Sequence, residues 1–121
     1  MNSIFELKSE NNCKKVCVDD KEFYVKVLSA LDRDKFETQW MNHKSENSVI
    51  GIRPFMVAFC LSNEVGELVF DSGEKEKASD EFISNVVEVG KLPAGKVQPL
   101  FSVSMQLNGF SDQEVDDLEK K

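Results

Sequence analysis

A polar stretch between two β-prone runs near the N-terminus predicts an antiparallel β-hairpin. Residues 14–18 form a short β-like run, and residues 23–28 (FYVKVL) are rich in aromatic and β-branched side chains. The polar residues 19–22 (DDKE) between them predict a tight turn. Because a two-stranded hairpin is only marginally stable alone, we expect it to pack on other elements.

Further along the chain, apolar residues recur at helical spacing. This pattern predicts helices over residues 30–43, 51–62, 74–89 and 94–108, and a short helix after Ser111. Ser29 precedes the first of these helices as a capping residue, and Ser111 opens the capping box SDQE. The helix over 51–62 is apolar nearly all round, so we place it at the centre of the domain.

Two weaker signals complete the pattern. Residues 3–6 (SIFE) have the form of a capping box, which predicts a short helical turn. Residues 68–70 (LVF) predict either a third strand or an anchor for the connection. With strands first and helices after, we expect an α+β fold, an N-terminal antiparallel β-hairpin packed on a bundle of four to five helices, in a single domain over residues 1–121.

The charge balance narrows the range of partners. The 121 residues include 15 Lys and Arg against 22 Asp and Glu, a net charge of −7. A negative field repels phosphates, so nucleic acid and anionic membrane surfaces are disfavoured as partners. Residues 71–81 and 111–121 each hold five acids and two lysines, which we interpret as exposed helical faces.

The N-terminal residues have no basic start and no apolar run of the kind that secretory signals carry. No apolar stretch in the chain approaches the length of a membrane span. We therefore expect a cytoplasmic protein.

Candidate chemistry is sparse. Cys13, Cys17, Cys60 and His43 are residues of the types that bind zinc, but their spacing matches no zinc motif. The alternative is that Cys13 and Cys17 share one face of a strand, Cys60 fills the core, and His43 caps a helix or faces solvent. The sequence has no phosphate-binding glycine motif and no nucleophile elbow. We expect a protein without catalytic residues, metal or cofactor.

Four segments carry a resemblance to a known family. They are FYVKVLSALDRDKFE (23–37), the apolar stretch 52–67, LVFD (68–71) and LNGFSDQEVDDLEK (107–120). In these segments the chain resembles the tail assembly chaperones of long-tailed phages, and the last segment is the most specific. The chain departs from the family at residues 90–95 (GKLPAG) and at Pro99, which interrupt a stretch where the family is smoothly helical.

The resemblance implies a non-enzymatic protein of the host cell cytoplasm, made during virion assembly and absent from the finished tail. Such proteins hold the long tape measure protein soluble and help tail tube subunits to polymerise around it. The family commonly makes a longer form by ribosomal frameshifting, and two consecutive lysine codons, as for the lysines at 120–121, can be an A-rich slippery sequence that the DNA sequence would reveal.

A partner that covers apolar helical stripes needs exposed apolar side chains of its own. The candidates lie close to the acidic C-terminal segment: Leu92, Leu100, Phe101, Met105 and Phe110. The alternative is that all five are ordinary core residues. An exposed apolar patch would also serve self-association.

A different class of function is an acidic regulatory or inhibitory module that mimics the charge of nucleic acid and occupies a basic partner. The net charge favours it. Lysines interleave with the acids at Lys75, Lys77 and Lys120, which weakens it.

Overall fold

The computed structural model describes residues 13–45 and 50–120. In this part of the chain the elements are β1 (Cys13–Val18), β2 (Lys21–Lys26), α1 (Ala30–Ser45), α2 (Ile52–Cys60), β3 (Leu61–Ser62), α3 (Asp80–Gly90), α4 (Ala94–Leu107) and α5 (Asp112–Lys120). The strands form one antiparallel sheet in the order β1-β2-β3, and the hairpin packs on α4. The predicted α+β fold is confirmed. The capping box predicted at 3–6 lies outside the described residues.

The hairpin turn is tighter than the four polar residues predicted. Asp19 and Asp20 alone form it, with φ angles of 51° and 65°. Two consecutive left-handed residues match the right-handed twist of the flanking strands, and Asp tolerates that conformation better than most side chains do. Lys21 and Glu22 therefore belong to β2, where they pair with Val18 and Cys17.

The third strand is not the segment 68–70, which the sequence left open as a strand or an anchor, but Leu61–Ser62. It follows directly on α2, because Leu61 adopts an extended conformation and pairs with Val25 at the open edge of β2. The predicted helix over 51–62 therefore ends at Cys60. Leu68 forms a single bridge to Ser62, and the Val69 N–H donates to the Leu61 carbonyl at 2.9 Å. The segment 68–70 is thus the anchor of the connection.

The core is centred on α2, as its apolar pattern predicts. Every side chain from residue 55 to residue 60 is buried. The ring of Phe36 from α1 packs against the rings of Phe55, Phe59 and Phe110, with centroids 5.8, 5.4 and 5.8 Å away. Tilted and edge-to-face contacts at these distances stabilise aromatic cores beyond the area that they bury.

The helix predicted over 74–89 begins only at Asp80. Ser79 caps it, since its Oγ accepts a hydrogen bond from the Phe82 N–H at 3.1 Å. Residues 71–79 instead form a loop in which the Ser72 carbonyl accepts from the Ser79 N–H at 2.8 Å and from the Gln39 amide at 3.2 Å. Gly73 has a φ of 98°, a backbone conformation that residues with a side chain rarely adopt. The acids before Ser79 therefore lie on a folded loop and not on a helical face.

The remaining helix boundaries follow the sequence closely. The Asp32 N–H donates to Ser29 Oγ at 3.1 Å at the start of α1. Pro99 lies in the second turn of α4, and α5 presents acids to solvent as expected. In the described ranges, no helix combines the length and the apolar character that a membrane span requires.

Candidate interaction surface

The most specific segment of the family resemblance begins with a turn that is anchored by two buried residues, Asn108 and Phe110. We call residues 107–114 the closing turn. Its Asn108 is buried, and its Oδ1 accepts from the Leu28 N–H at 2.7 Å. The Nδ2 group of Asn108 donates to the Ser104 carbonyl at 3.0 Å and to the Lys26 carbonyl at 3.3 Å. One amide thus ties the end of β2 to the end of α4.

Arg33 of α1 holds the same turn from the other side. Its guanidinium donates to the Asn108 carbonyl at 2.9 Å and lies 4.1 Å from the ring centroid of Phe110. Its Nη2 group also pairs with Glu114 at 3.2 Å. Gly109, with a φ of 68°, makes the reversal between the two contacts.

The capping box at the start of α5 is formed as predicted. The Glu114 N–H donates to Ser111 Oγ, and the Ser111 N–H donates to Glu114 Oε1, each at 3.1 Å. The hydrogen bond from the Ser111 backbone, aided by Arg33, lowers the pKa of Glu114 below its usual value. These polar groups of the closing turn are engaged within the fold, so we assign the turn a structural role.

The structure separates the five predicted partner-binding residues. Three of them are core residues, with side chains 4, 3 and 6% exposed: Leu100, Phe101 and Phe110. The expectation that these three lie at the surface is wrong, because α4 packs on α2 and the closing turn folds over α1. Met105 is half-buried. Leu92 is 49% exposed and is the member of the set that offers an open apolar surface.

Leu92 lies in a short link between two helices, residues 91–93, which we call the Leu92 turn. Its N–H donates to the Val89 carbonyl at 3.1 Å, so the link folds back on the end of α3. The Pro93 carbonyl then accepts from the Lys96 N–H at 2.9 Å and starts α4. Leu92 thus lies between the end of α3 at Gly90 and the start of α4 at Ala94, and about half of its side chain is exposed.

Two depressions meet at Leu92. The first, which we call the hairpin groove, has a volume of about 190 Å³ and lies between the hairpin and the helices. Its apolar lining consists mainly of Phe23, Val57, Leu61, Val89, Leu92 and Leu100. The second, which we call the helix groove, has a volume of about 170 Å³ and is lined by Pro54, Gly90, Leu92 and Val97 among others. Leu92 therefore forms a ridge between two shallow apolar hollows.

Cations border these hollows. Lys21 and Lys96 line the hairpin groove, where Lys96 pairs with Asp19 at 2.9 Å. Arg53 lines the helix groove, and its guanidinium lies 5.5 Å from the ring centroid of Phe101. A buried apolar floor with a charged rim is the arrangement that protein-binding sites commonly show.

Arg53 also borders a wider depression of about 410 Å³. Phe101, Met105 and Phe110 reach it, but they share it with polar residues including Gln98, Ser102 and Gln106. Two of the three apolar residues are buried, so they present only an edge to it. This depression is therefore less suited to an apolar partner than the two hollows at Leu92.

The residues of zinc-binding type are not brought together. Cys13 and Cys17 lie four apart on β1, while Cys60 is buried in α2. Burial raises the pKa of the Cys60 thiol to about 12, which keeps it protonated and a poor nucleophile or metal ligand. The His43 ring packs between Trp40 and Phe55, with centroids 6.3 and 5.6 Å away, and is half-buried. Among the described residues, no group of three or more His, Cys, Asp or Glu could hold a metal ion.

Sequence reasoning missed most of the groove. Phe23, Val57 and Val89 lie on three different elements, and only their packing makes them neighbours. For Leu92 a local signal existed, since an apolar residue between Gly90 and Pro93 has helix-breaking residues on both sides.

No model of a known protein family matches the chain, and neither the curated proteins nor the solved structures contain a significant match.

Proposed function

We propose that this chain is a tail assembly chaperone of a long-tailed phage or prophage, a non-enzymatic protein that binds the tape measure protein and keeps it soluble during virion assembly. In this role it works in the host cytoplasm, recruits tail tube subunits and is absent from the mature virion. The resemblance over residues 23–37, 52–71 and 107–120 supports the family. The single structural observation that supports the binding role is the half-exposed Leu92 between two apolar hollows.

The physical argument starts from what a client helix presents. A tape measure protein is a long helix with apolar stripes that aggregate when they are left in water. An aliphatic ridge with a hollow on either side receives the side chains of such a stripe one turn apart. Covering a half-exposed leucine contributes on the order of 1 kcal/mol, and each client side chain buried in a hollow contributes about 1.5–3 kcal/mol. Several such contacts along one client support binding without any enzymatic chemistry.

The test is co-expression with the tape measure protein of the same genome, with the soluble fraction of the tape measure as readout. We expect the native chain to raise that fraction and Leu92→Glu to abolish the increase, since a carboxylate on the ridge opposes burial. Leu31→Glu is the matched control, because Leu31 is 80% exposed and lines neither hollow. Thermal melts of both variants show whether the fold is intact.

Unchanged tape measure solubility in the presence of the native chain would reject the chaperone function. Competition with DNA for a basic DNA-binding protein, weakening strongly as salt is raised, would instead favour the acidic regulatory module. Equal losses in Leu92→Glu and Leu31→Glu would place the client on another surface.

A further inference from the structure

We infer that the surface around Leu92 selects its client by charge: it takes an amphipathic helix whose apolar stripe is flanked by acidic residues. This inference rests on the proposed function and specifies the client's chemistry. The juxtaposition that carries it is an apolar ridge bordered by cations in a chain whose net charge is −7.

The charge at this surface is opposite in sign to that of the protein. The residues lining the hairpin groove and the helix groove include three cations, Lys21, Lys96 and Arg53, and one carboxylate, Asp19. Asp19 is already paired with Lys96 at 2.9 Å. Within the described ranges, neither Lys21 nor Arg53 forms an ion pair. Two cations beside the apolar hollows are therefore available to a partner's carboxylates.

The size of the hollows favours side chains of a helix over a small molecule. Pockets for drug-sized ligands usually have volumes of about 300–1,000 Å³. The hairpin groove and the helix groove measure about 190 and 170 Å³ and share Leu92 as their common wall. Two small apolar hollows on one surface fit the anchors at i and i+3 or i+4 of an amphipathic helix.

The positions of the cations then determine which charge is favoured in the residues that flank the apolar stripe of that helix. Lys21 comes from the hairpin and Arg53 from the first turn of α2, on the two sides of Leu92 that the two grooves define. A helix lying over the ridge would bring the residues beside its apolar stripe towards these two side chains. Glu or Asp at those positions gains from both cations, whereas Lys or Arg is repelled by both.

The experiment compares two labelled amphipathic peptides of about 18 residues, or five helical turns. They carry the same leucine stripe, flanked by Glu in one and by Lys in the other. Fluorescence anisotropy with the full chain should show about tenfold tighter binding of the Glu-flanked peptide. That preference should shrink as the Debye length falls from about 10 Å at 0.1 M salt to about 3 Å at 1 M.

Charge-reversal variants locate the effect. Lys21→Glu combined with Arg53→Glu should remove or reverse the preference between the peptides. Lys75→Glu combined with Lys77→Glu changes the net charge equally in the loop over 71–79, and it should reduce binding of the Glu-flanked peptide much less. Leu92→Glu should weaken binding of the Glu-flanked peptide, because the ridge itself is lost.

Equal affinities for the two peptides, no binding of either, or equal effects of the two double variants would overturn the inference. Each of these results leaves the proposed function standing if the native chain still raises tape measure solubility. Conversely, a clear preference for the Glu-flanked peptide without any effect on tape measure solubility would support the charge selection and reject the proposed client.

Discussion

The closing turn and the Leu92 turn each join α4 to a neighbouring helix, but the first buries its main side chains and the second leaves its leucine exposed. In the closing turn, Asn108 and Phe110 are buried and Arg33 reaches across to bind both. In the Leu92 turn, the leucine is 49% exposed and borders two hollows. The segment with the more recognisable sequence therefore builds the fold, and the less regular segment offers the surface.

The largest expected effect is the loss of the aromatic anchor in the closing turn. Phe110 is 6% exposed and its ring packs on Phe36 at 5.8 Å. Phe110→Ala should lower the free energy of unfolding by about 3–5 kcal/mol, because it removes buried area and leaves a cavity. Denaturant unfolding followed by circular dichroism measures the change. A loss below about 1 kcal/mol would mean that the closing turn does not have a major role in stabilising the fold.

Removing the buried amide of the same turn should have a smaller effect. Asn108→Ala removes the side-chain acceptor of the Leu28 N–H and the side-chain donor to the Ser104 carbonyl at the end of α4. An unpaired buried donor costs about 1–3 kcal/mol. The matched control is Asn63→Ala, since Asn63 also bonds backbone N–H groups, at Val65 and Glu67, but in an exposed loop. If the control were equally destabilising, burial would not explain the role of Asn108.

Because of Glu114, the stability of the protein should fall slightly in acid. Its pKa is held below the usual value by the Ser111 N–H and by Arg33, so its stabilisation is present at neutral pH and is lost as the pH falls below about 4.5. Glu114→Gln should melt slightly earlier than the native chain at pH 7. The two melting temperatures should converge in acid, and a difference that stays constant across this range would contradict the assignment.

The smallest effect on stability is expected at the Leu92 turn. Leu92→Ser removes a half-exposed side chain, so the free energy of unfolding should change by no more than about 0.5 kcal/mol. The same variant should impair client binding, because the ridge is lost. Unfolding measured beside peptide anisotropy separates the two effects. A large loss of stability would make Leu92 a core residue and remove the contrast with the closing turn.

The sequence predicted an element's boundaries well where residues close by in the chain set them, and poorly where contacts with distant residues set them. Ser29, Ser111 and Gly109 act within a few residues of themselves, through caps and a left-handed turn, so the pattern placed α1, α5 and the end of α4 closely. The start of α3 was missed because Gln39, far away in the chain, helps to hold residues 71–79 as a loop. The short β3 was missed because it exists only where α2 meets the edge of β2.

The sequence by itself determined the class of fold, the hairpin and the central position of α2, and it offered five apolar residues as candidates for an exposed surface. Only the tertiary structure decided which of those residues are covered. Leu100 and Phe101 point into the core because α4 packs on α2, whereas Leu92 stays exposed because it lies beyond both helix ends. The physical reason is that hydrophobicity is a property of a side chain, while exposure depends on contacts between residues that are distant in the chain.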